Sequence, residues 1–432
     1  MSGNLLPVTH WISLVTNAVR IEKPEMKINS TGRACAILTF VAVLANISSA
    51  ATYKKLYNFT GGTDGGDPAT ALTFDSVGNA YGTTAAGGDF DFGTVFMLSP
   101  SGQQTVLYSF TGGSDGLDPH GGVTVDGAGN LYGTTVAGGF GGLCAGDGCG
   151  VIFELTSTGG SWTETTLYNF KGLNDGFGPG GALVFDKAGN LFGTTPDGGA
   201  HWNGVVFELS PAAHGWRYKV IHAFTGNKDG SVGSLGTLVF DDAGNLYGVT
   251  ELGGTYGAGA VYKVSPTPSG TWKTTVLYDF KGLPDAANPY GGLILDKVGN
   301  LYGTTYFGGA TGMGAVFQLI PGPNGTWQEN VLYSFQGGTD GSFPTTTLVF
   351  DSTGTLYGTT STGGRPSCDC GTVFKLNFSR GTWNEKIVHL FGKEGDGSSP
   401  NYGLTLDQSG NLCGTTPVGG TEGQGIVFRL TP

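Results

Sequence analysis

The stretch Asp296–Gly309, Asp-Lys-Val-Gly-Asn-Leu-Tyr-Gly-Thr-Thr-Tyr-Phe-Gly-Gly, decides the fold because the chain contains seven variants of it. The copies are located by the residue that precedes Gly-Thr-Thr, or Gly-Val-Thr in the fourth copy: Tyr81, Tyr132, Phe192, Tyr247, Tyr302, Tyr357 and Cys413. Successive copies are 51, 60, 55, 55, 55 and 56 residues apart. A period of this size, with short β-type runs between glycine turns, is typical of propeller repeats and too long for most helical solenoids.

One unit, residues 293–335, reads as four strands labelled A to D. The predicted strands are Leu293–Leu295, Leu301–Thr305, Ala315–Leu319 and Asn330–Phe335. In the turn between strands A and B, Gly299 can take a positive φ and the Asp296 carboxylate can accept turn N–H groups. Apolar residues on both faces of these strands indicate a neighbouring sheet on each side, as a blade in a ring has.

The two ends of the repeat region predict how the ring closes. Residues 53–59 carry the Leu-Tyr-Asn-Phe signature of strand D, and the last unit stops after strand C, at residues 426–430. We therefore expect an all-β fold, a seven-bladed β-propeller of four-stranded antiparallel blades, closed by the N-terminal strand pairing with the C-terminal strand. Residues 51–432 are predicted to form this single domain.

Residues 26–50 have the pattern of a signal peptide. Lys27 and Arg33 precede an apolar run of about 12 residues, and Ser48 and Ala50 are small residues suited to cleavage after Ala50. The run is too short to span a bilayer comfortably, so a membrane anchor is disfavoured. Residues 1–25 are interpreted as lying upstream of a translation start at Met26. We expect a secreted or periplasmic protein with no membrane span in the mature chain.

The composition restricts the partners. Glycine accounts for 81 of 432 residues without a collagen-like period, and these glycines are interpreted as turn residues of a folded protein. Removal of residues 1–50 leaves 17 basic and 31 acidic residues, a net charge of −14. Because an acidic surface repels phosphate and no basic cluster is present, nucleic acid and anionic lipid are disfavoured as partners. We expect a monomer.

Five cysteines follow residue 50. A disulfide between Cys144 and Cys149 is plausible in an oxidising compartment. A bridge between Cys368 and Cys370 would close a very small ring, so that pairing stays open. Cys413, in a core register, is predicted to be a buried apolar side chain. A zinc site is disfavoured because the cysteine pairs lack the spacing and histidines that closed zinc sites use.

The repeat as a whole carries a family resemblance. Its unit reads Leu-Tyr-x-Phe, x-Gly-Gly-x-Asp-Gly, Leu-x-x-Asp-x-x-Gly-Asn-Leu-Tyr-Gly-Thr-Thr, Gly-Gly and Gly-Thr-Val-Phe-x-Leu. Across residues 53–430 it resembles the tandem repeat of the GloVer ("choice-of-anchor") family of exported bacterial proteins. The resemblance implies a secreted repeat protein and supplies no catalytic residues. The C-terminus, Leu430-Thr431-Pro432, departs from the family pattern in having no sorting segment, so free secretion or a periplasmic location is expected rather than surface attachment.

Three sets of residues recur at one register in the units. The A-to-B turns share an aspartate: Asp75, Asp126, Asp186, Asp241, Asp296, Asp351 and Asp407. The D-to-A loops share another: Asp64, Asp115, Asp175, Asp229, Asp285, Asp340 and Asp396. Tryptophans follow the C-to-D turns: Trp162, Trp216, Trp272, Trp327 and Trp383. Turn capping is favoured over calcium or ligand binding for the aspartates, and packing between blades is favoured for the tryptophans.

Specificity is expected where the units differ. The B-to-C and D-to-A loops share one face of a propeller, and aromatic side chains there can stack on sugars or contact a protein. The candidate ligand-binding residues are His120, His201, Trp202, Tyr256, Tyr290 and Phe307. The alternative, that each aromatic packs under its own loop, remains open. We predict a binding or structural module for a glycan or an extracellular protein, with no cofactor, metal or assigned catalytic residue.

The competing hypothesis is a lyase or hydrolase acting on extracellular polysaccharide. An acid and base pair can be chosen from His120, Asp197, His201 and Glu251, which three successive units place on the same face. No Gly-x-Ser-x-Gly, His-Glu-x-x-His or phosphate-binding loop accompanies them. The module hypothesis is therefore favoured over the enzyme.

Overall fold

The computed structural model describes residues 51–432, apart from residues 145, 147, 234 and 235. The predicted signal peptide at residues 26–50 and the upstream segment at residues 1–25 lie outside the described residues. The described chain forms seven antiparallel blades arranged in a ring, which confirms the predicted seven-bladed β-propeller. Within this part of the chain, no helix combines the length and apolar character needed to cross a bilayer.

Each blade is a meander with the strand order A-B-C-D. The A strands are Thr73–Phe74, Val123–Val125, Val184–Phe185, Val239–Phe240, Ile294–Leu295, Val349–Phe350 and Leu404–Leu406. The B strands are Ala80–Thr84, Leu131–Thr135, Leu191–Thr195, Leu246–Leu252, Leu301–Gly308, Leu356–Thr360 and Leu412–Thr416. The C strands are Thr94–Leu98, Val151–Thr158, Val205–Ala212, Ala260–Pro266, Ala315–Pro321, Thr372–Ser379 and Ile426–Thr431. The D strands are Gln104–Ser109, Ser161–Asn169, Gly215–Ala223, Trp272–Asp279, Trp327–Ser334, Thr382–Leu390 and, for blade 7, Thr52–Asn58.

The loops carry a few shorter elements. The additional strands are Ser231–Gly233, Ala286–Pro289, Gly397–Ser398 and Val418–Gly419, and the 3-10 turns are Pro323–Gly325 and Gly338–Asp340. In blade 5, strand B runs three residues beyond its predicted end. Its last residues pair with the short strand Ala286–Pro289, with Ala286 opposite Gly308. The C and D strands of that blade are also longer than predicted, since their hairpin pairing extends to Pro321 and Trp327.

The first and last strands close the ring. Thr52–Asn58 lies antiparallel to Ile426–Thr431, with Tyr53 opposite Leu430 and Asn58 opposite Ile426. This pairing gives blade 7 its fourth strand and confirms the predicted closure. Without it, the last strand would present an unpaired edge of backbone N–H and C=O groups.

An aromatic contact recurs at every blade interface. The phenylalanine that directly follows strand D of one blade meets, edge to face, an aromatic ring on strand C of the next, with ring centroids 5.0 to 5.6 Å apart. The seven pairs are Phe59 and Phe96, Phe110 and Phe153, Phe170 and Phe207, Phe224 and Tyr262, Phe280 and Phe317, Phe335 and Phe374, and Phe391 and Phe428. These fully buried rings place the hydrophobic core between the blades.

The glycine of the Tyr-Gly-Thr-Thr motif makes room for this ring. A Cβ atom on Gly303 would lie 2.6 Å from the Cζ atom of Phe317 on the adjacent strand, and the equivalent glycines have the same neighbour. The interpretation of the glycines as turn residues is therefore wrong at this register, where the glycine lies within strand B and is required by side-chain packing.

The tryptophans pack between blades, as their shared register predicts. The Trp272 ring meets Phe192 of the preceding blade with centroids 5.5 Å apart, and Trp216 meets Tyr132 in the same way at 6.1 Å. Each contact joins the outer strand of one blade to strand B of its neighbour. These rings therefore belong to the scaffold.

Candidate functional site

The two ends of the blades form two chemically different faces. We call the end with the A-to-B turns the turn face, and the end with the B-to-C and D-to-A loops the loop face. On the turn face, the Asp296 carboxylate accepts hydrogen bonds from the N–H groups of Val298 and Asn300, the Asn300 amide and the Tyr302 hydroxyl, at 2.7 to 3.1 Å. Asp75 and Asp126 repeat this pattern, so these aspartates cap hairpin turns.

The aspartates of the D-to-A loops have a similar structural role. Asp115 accepts hydrogen bonds from the Thr111 N–H at 2.7 Å and from the Tyr108 hydroxyl at 3.0 Å. Where the tyrosine register holds His389, its Nε2 atom lies 3.1 Å from the Asp396 carboxylate instead. This ring of aspartates therefore fixes each D-to-A loop to the strand before it.

The loop face contains a cavity of about 660 Å³ on the propeller axis, lined by residues of all seven blades. Small residues before the A strands form much of its wall, because neighbouring backbones approach closely there. A Cβ atom on Gly291 would lie 2.5 Å from the backbone of Thr346 in the next blade. The larger side chains that line the cavity are His120, Glu251, Tyr290, Tyr306, Phe307, Asn401 and Tyr402.

One wall of the cavity is aromatic. The Tyr306 ring stacks on Phe343 with centroids 4.8 Å apart and meets Phe307 edge to face at 4.6 Å. Tyr290 lies further along the same wall, with its ring 6.5 Å from Tyr306. Phe343 has a φ of 56°, an unfavourable backbone conformation for a bulky side chain that the surrounding packing must maintain. We call the lining residues Tyr290, Tyr306 and Phe307, together with Phe343 on which Tyr306 stacks, the aromatic wall.

Two residues of this wall and the neighbouring Glu251 are held by strands. Tyr306 and Phe307 lie in the extension of strand B of blade 5, where Phe307 is opposite Ala287. Glu251 lies in the corresponding extension of strand B of blade 4, next to the Thr250 that pairs with Ala260. Strand pairing fixes the direction of these side chains before any ligand arrives.

The opposite wall is polar. The His120 Nε2 atom lies 2.7 Å from the Asp118 carboxylate, and its Nδ1 atom lies 3.5 Å from the Tyr402 hydroxyl. Burial lowers the pKa of His120, but the hydrogen bond to Asp118 and the charges of Asp118 and Asp67 outweigh it, so that the pKa is raised above its ordinary value. Burial also raises the pKa of Asp67, and the nearby Asp118 adds to this effect. The protonated imidazole is thus stabilised by carboxylates.

The six predicted binding residues fall into two groups. His120, Tyr290 and Phe307 line the axial cavity. His201, Trp202 and Tyr256 lie outside its lining, on the B-to-C loops of blades 3 and 4. Trp202 is 57% exposed and Tyr256 is 58% exposed, which places both at loop tips. Of the residues proposed for an enzyme, His120 and Glu251 line the cavity, whereas Asp197 and His201 do not.

Sequence reasoning missed two features of the cavity. Tyr402 occupies a register that holds glycine or threonine in the other units, so a lone bulky residue at that register marks it. The residue directly after the Thr-Thr or Val-Thr pair is Glu251, Tyr306 and Ser361 in three consecutive blades, and all three line the cavity. Comparing units at this register would have identified these residues as neighbours around the axis.

The cysteines strengthen the loop face. Cys144 and Cys149 are joined by a disulfide with Cα atoms 5.3 Å apart, and Cys368 and Cys370 by another with Cα atoms 5.2 Å apart. Both disulfides cover the first glycine of the following D-to-A loop, Gly172 and Gly392 respectively. Cys413 is free and buried in the interface with blade 1.

Comparisons with solved structures reveal distant likenesses. A candidate oxidoreductase (glucose dehydrogenase) from Thermus thermophilus is 14% identical, with a TM-score of 0.38, covering 88% of this chain and all of its own. A candidate 6-phosphogluconolactonase from Bacteroides uniformis is also 14% identical, with a TM-score of 0.48, covering 74% of this chain and 84% of its own. Both scores are below 0.5, so neither supports an argument about activity. No curated protein matches the chain.

A family match covers nearly the whole repeat region. The Gloeobacter/Verrucomicrobia repeat model matches twice in tandem, at residues 42–240 and 234–432. These two segments contain all seven copies of the motif and every residue that lines the cavity. The chain therefore belongs to the Gloeobacter/Verrucomicrobia repeat family.

Proposed function

We propose that this protein is an exported, monomeric binding module that holds a glycan in the axial cavity of its loop face. The observation that carries the proposal is the aromatic wall, in which Tyr306 is stacked on Phe343 at 4.8 Å beside a cavity of about 660 Å³. Export is supported by the predicted signal peptide at residues 26–50 and by the resemblance to exported repeat proteins.

The size and shape of the cavity favour a small or narrow ligand. Ligand pockets commonly have volumes of roughly 300 to 1,000 Å³, whereas protein partners are usually bound on broader, flatter surfaces. A cavity on the axis can accept the end of a glycan chain or a short oligosaccharide. A folded protein would have to insert a protruding segment to reach the same residues.

The chemistry of the cavity suits a sugar ring. One face of a pyranose presents C–H groups that pack on aromatic rings, and its hydroxyls require hydrogen-bond partners. Tyr306 and Phe307 supply the aromatic surface. Also in the lining, the buried Thr345 Oγ1 and Asn401 Oδ1 atoms have no hydrogen-bond partner among the described residues. Unsatisfied buried polar atoms are uncommon, and a bound hydroxyl would satisfy them.

Calorimetric titration of a panel of oligosaccharides against residues 51–432 tests the proposal. We expect at least one glycan to bind, and Tyr306→Ala to weaken its binding about tenfold through loss of stacking and burial of roughly 1.5 kcal/mol. Phe378→Ala is the matched control, because this aromatic residue is exposed and lies outside the cavity lining.

Four outcomes would contradict the module. Absence of binding to every glycan would refute it, as would equal losses in the two variants. Turnover of a bound glycan that disappears in His120→Ala would support the lyase or hydrolase instead. A protein ligand captured with unchanged affinity by Tyr306→Ala would place recognition outside the cavity.

A further inference from the structure

The charges around the cavity all favour a positively charged ligand group. Among the described lining residues, Glu251 is the single carboxylate, His120 is the single titratable base, and neither lysine nor arginine is present. Asp118 and Asp67 lie behind His120 and act on it electrostatically. Three carboxyl groups therefore accompany one imidazole, and no lysine or arginine of the cavity lining offsets them.

Glu251 is the carboxylate that faces the cavity without a cationic partner. The ion pairs between described residues all join a histidine to an aspartate, so none of them neutralises Glu251. Burial raises the pKa of its carboxyl group, which reflects the unfavourable loss of water around the charge. A ligand cation would restore a favourable environment for this group.

The aromatic wall lies next to this carboxylate. Glu251 acts electrostatically on the Tyr290 hydroxyl, and the Tyr306 ring is 6.5 Å from the Tyr290 ring. Aromatic faces attract cations within about 6 Å of the ring centre. A carboxylate beside tyrosine rings is therefore suited to an ammonium group more than to a hydroxyl or a carboxylate.

We infer that the glycan bound in the axial cavity is an amino sugar with a free ammonium group, held by the Glu251 carboxylate and the rings of Tyr290 and Tyr306. This inference depends on the proposed function, because it specifies the ligand of the same cavity. The ammonium provides the charge for Glu251, and the sugar ring provides the hydroxyls for Thr345 and Asn401 of the cavity lining.

The decisive experiment compares two ligands that differ at the sugar nitrogen, which is a charged ammonium in one and a neutral acetamide in the other. Residues 51–432 are titrated with oligomers of glucosamine and with oligomers of N-acetylglucosamine of equal length, at pH 6 and low salt. We expect the glucosamine oligomer to bind about tenfold more tightly or better, since a hydrogen bond to a charged group contributes roughly 1.5 kcal/mol or more. Raising the salt concentration should reduce this preference.

Glu251→Gln tests the assigned carboxylate. The substitution keeps the shape of the side chain and removes its charge, so we expect the preference to fall below about threefold with a retained unfolding temperature. Glu422→Gln is the control, because it removes one charge from an exposed site on the same face, outside the cavity lining. This control should leave the preference unchanged.

The outcomes separate the inference from the proposed function. Equal or tighter binding of the N-acetylated oligomer would overturn the amino-sugar assignment and leave the glycan module standing. A preference that persists in Glu251→Gln would overturn the role of Glu251. A lysine peptide that binds as tightly as the glucosamine oligomer would show recognition of ammonium alone, and would overturn the sugar assignment. Failure of all glycans to bind would refute the proposed function itself.

Discussion

The turn face and the loop face are built by the same seven repeats, yet they differ in how much the repeats vary. On the turn face, Asp75, Asp126 and Asp296 cap the same hairpin with the same hydrogen bonds. On the loop face, the residue directly after Thr-Thr or Val-Thr differs between units: it is Ala85 in the first, Glu251 in the fourth and Tyr306 in the fifth. The comparison teaches that repetition specifies the scaffold, while departures from repetition mark the cavity.

The capping aspartates of the turn face and two buried glutamates of the outer strands differ in the direction of their pKa shifts. Although burial opposes it, hydrogen bonds from Asn300, Val298 and Tyr302 lower the pKa of Asp296 on the turn face. In the outer strand of blade 5, burial and Asp285 of the preceding D-to-A loop raise the pKa of Glu329, with Lys281 acting in the opposite direction. Burial and Asp340 likewise raise the pKa of Glu385 to about 7. The capping aspartate of the turn therefore favours the charged carboxylate, whereas Glu329 and Glu385 favour the protonated acid.

The largest expected effect comes from breaking the ring on which both faces depend. Deletion of residues 51–60 removes strand D of blade 7 together with the buried Phe59 ring and its contact with Phe96. Loss of a buried phenylalanine side chain alone costs about 4 kcal/mol, and the exposed strand edge promotes aggregation. We expect a much lower unfolding temperature in calorimetry and aggregates in light scattering.

Lys54→Ala is the control for the deletion. Lys54 lies in the same strand with an exposed side chain, so the substitution leaves the backbone pairing with Arg429 in place. Its stability should match that of the unmodified protein. A deletion variant that unfolds at the original temperature and stays soluble would show that the closure does not stabilise the ring.

A pH titration sharpens the difference between the two sets of carboxyl groups. The raised pKa of Glu329 gives stability that is complete below pH 4.5 and is lost as the pH rises through the raised value. The lowered pKa of Asp296 gives stability that is lost as the pH falls below about 4. Denaturant unfolding should therefore show greatest stability near pH 5, with a decrease of about 2 kcal/mol by pH 8 after allowance for screening.

Two variants test which carboxyl group causes the loss of stability on each side of pH 5. Glu329→Gln should flatten part of the decrease between pH 5 and pH 8, whereas Asp296→Asn should reduce the loss on acidification. Glu422→Gln removes an exposed charge and should leave both losses unchanged. Stability that rises from pH 5 to pH 8 in the unmodified protein would contradict the assignment of Glu329.

The smallest effect is expected at the tips of the loop face. Trp202→Ala should change glycan affinity less than about twofold and the free energy of unfolding by less than about 0.5 kcal/mol, because its exposed ring lies outside the cavity lining. The glycan affinities of Trp202→Ala and Tyr306→Ala are compared by calorimetric titration. A tenfold loss in Trp202→Ala would move the binding site from the axis to the rim of the loop face.

The architecture could be predicted because every step depends on local patterns repeated seven times. Alternating apolar strands, the turn beginning at Asp296, and the spare strand at residues 53–59 each have one structural interpretation, and together they define the ring. The ends of the strands were predicted less accurately. In blade 5, the extension of strand B to Gly308 depends on pairing with Ala286–Pro289, which belongs to another part of the unit. Such pairing is tertiary and leaves little local signal.

The site was only partly predictable because side-chain size and exposure do not report distance from the axis. Tyr290 and Trp202 are both aromatic loop-face residues in the sequence, yet only Tyr290 lines the cavity. Tyr402 was overlooked because a single tyrosine at a glycine register suggests a tolerated variation. Its contact with His120, at 3.5 Å, joins residues 282 positions apart and becomes visible only after the ring is closed.

The matching aromatic pairs at the seven interfaces have an evolutionary consequence. Each blade presents nearly the same aromatic ring to both of its neighbours, with ring centroids 5.0 to 5.6 Å apart. No interface therefore needs a complementary surface of its own. Gene segments that encode single blades can then be duplicated, exchanged or reordered with the interfaces preserved. New combinations of side chains around the hub can arise by recombination, without any redesign of the core.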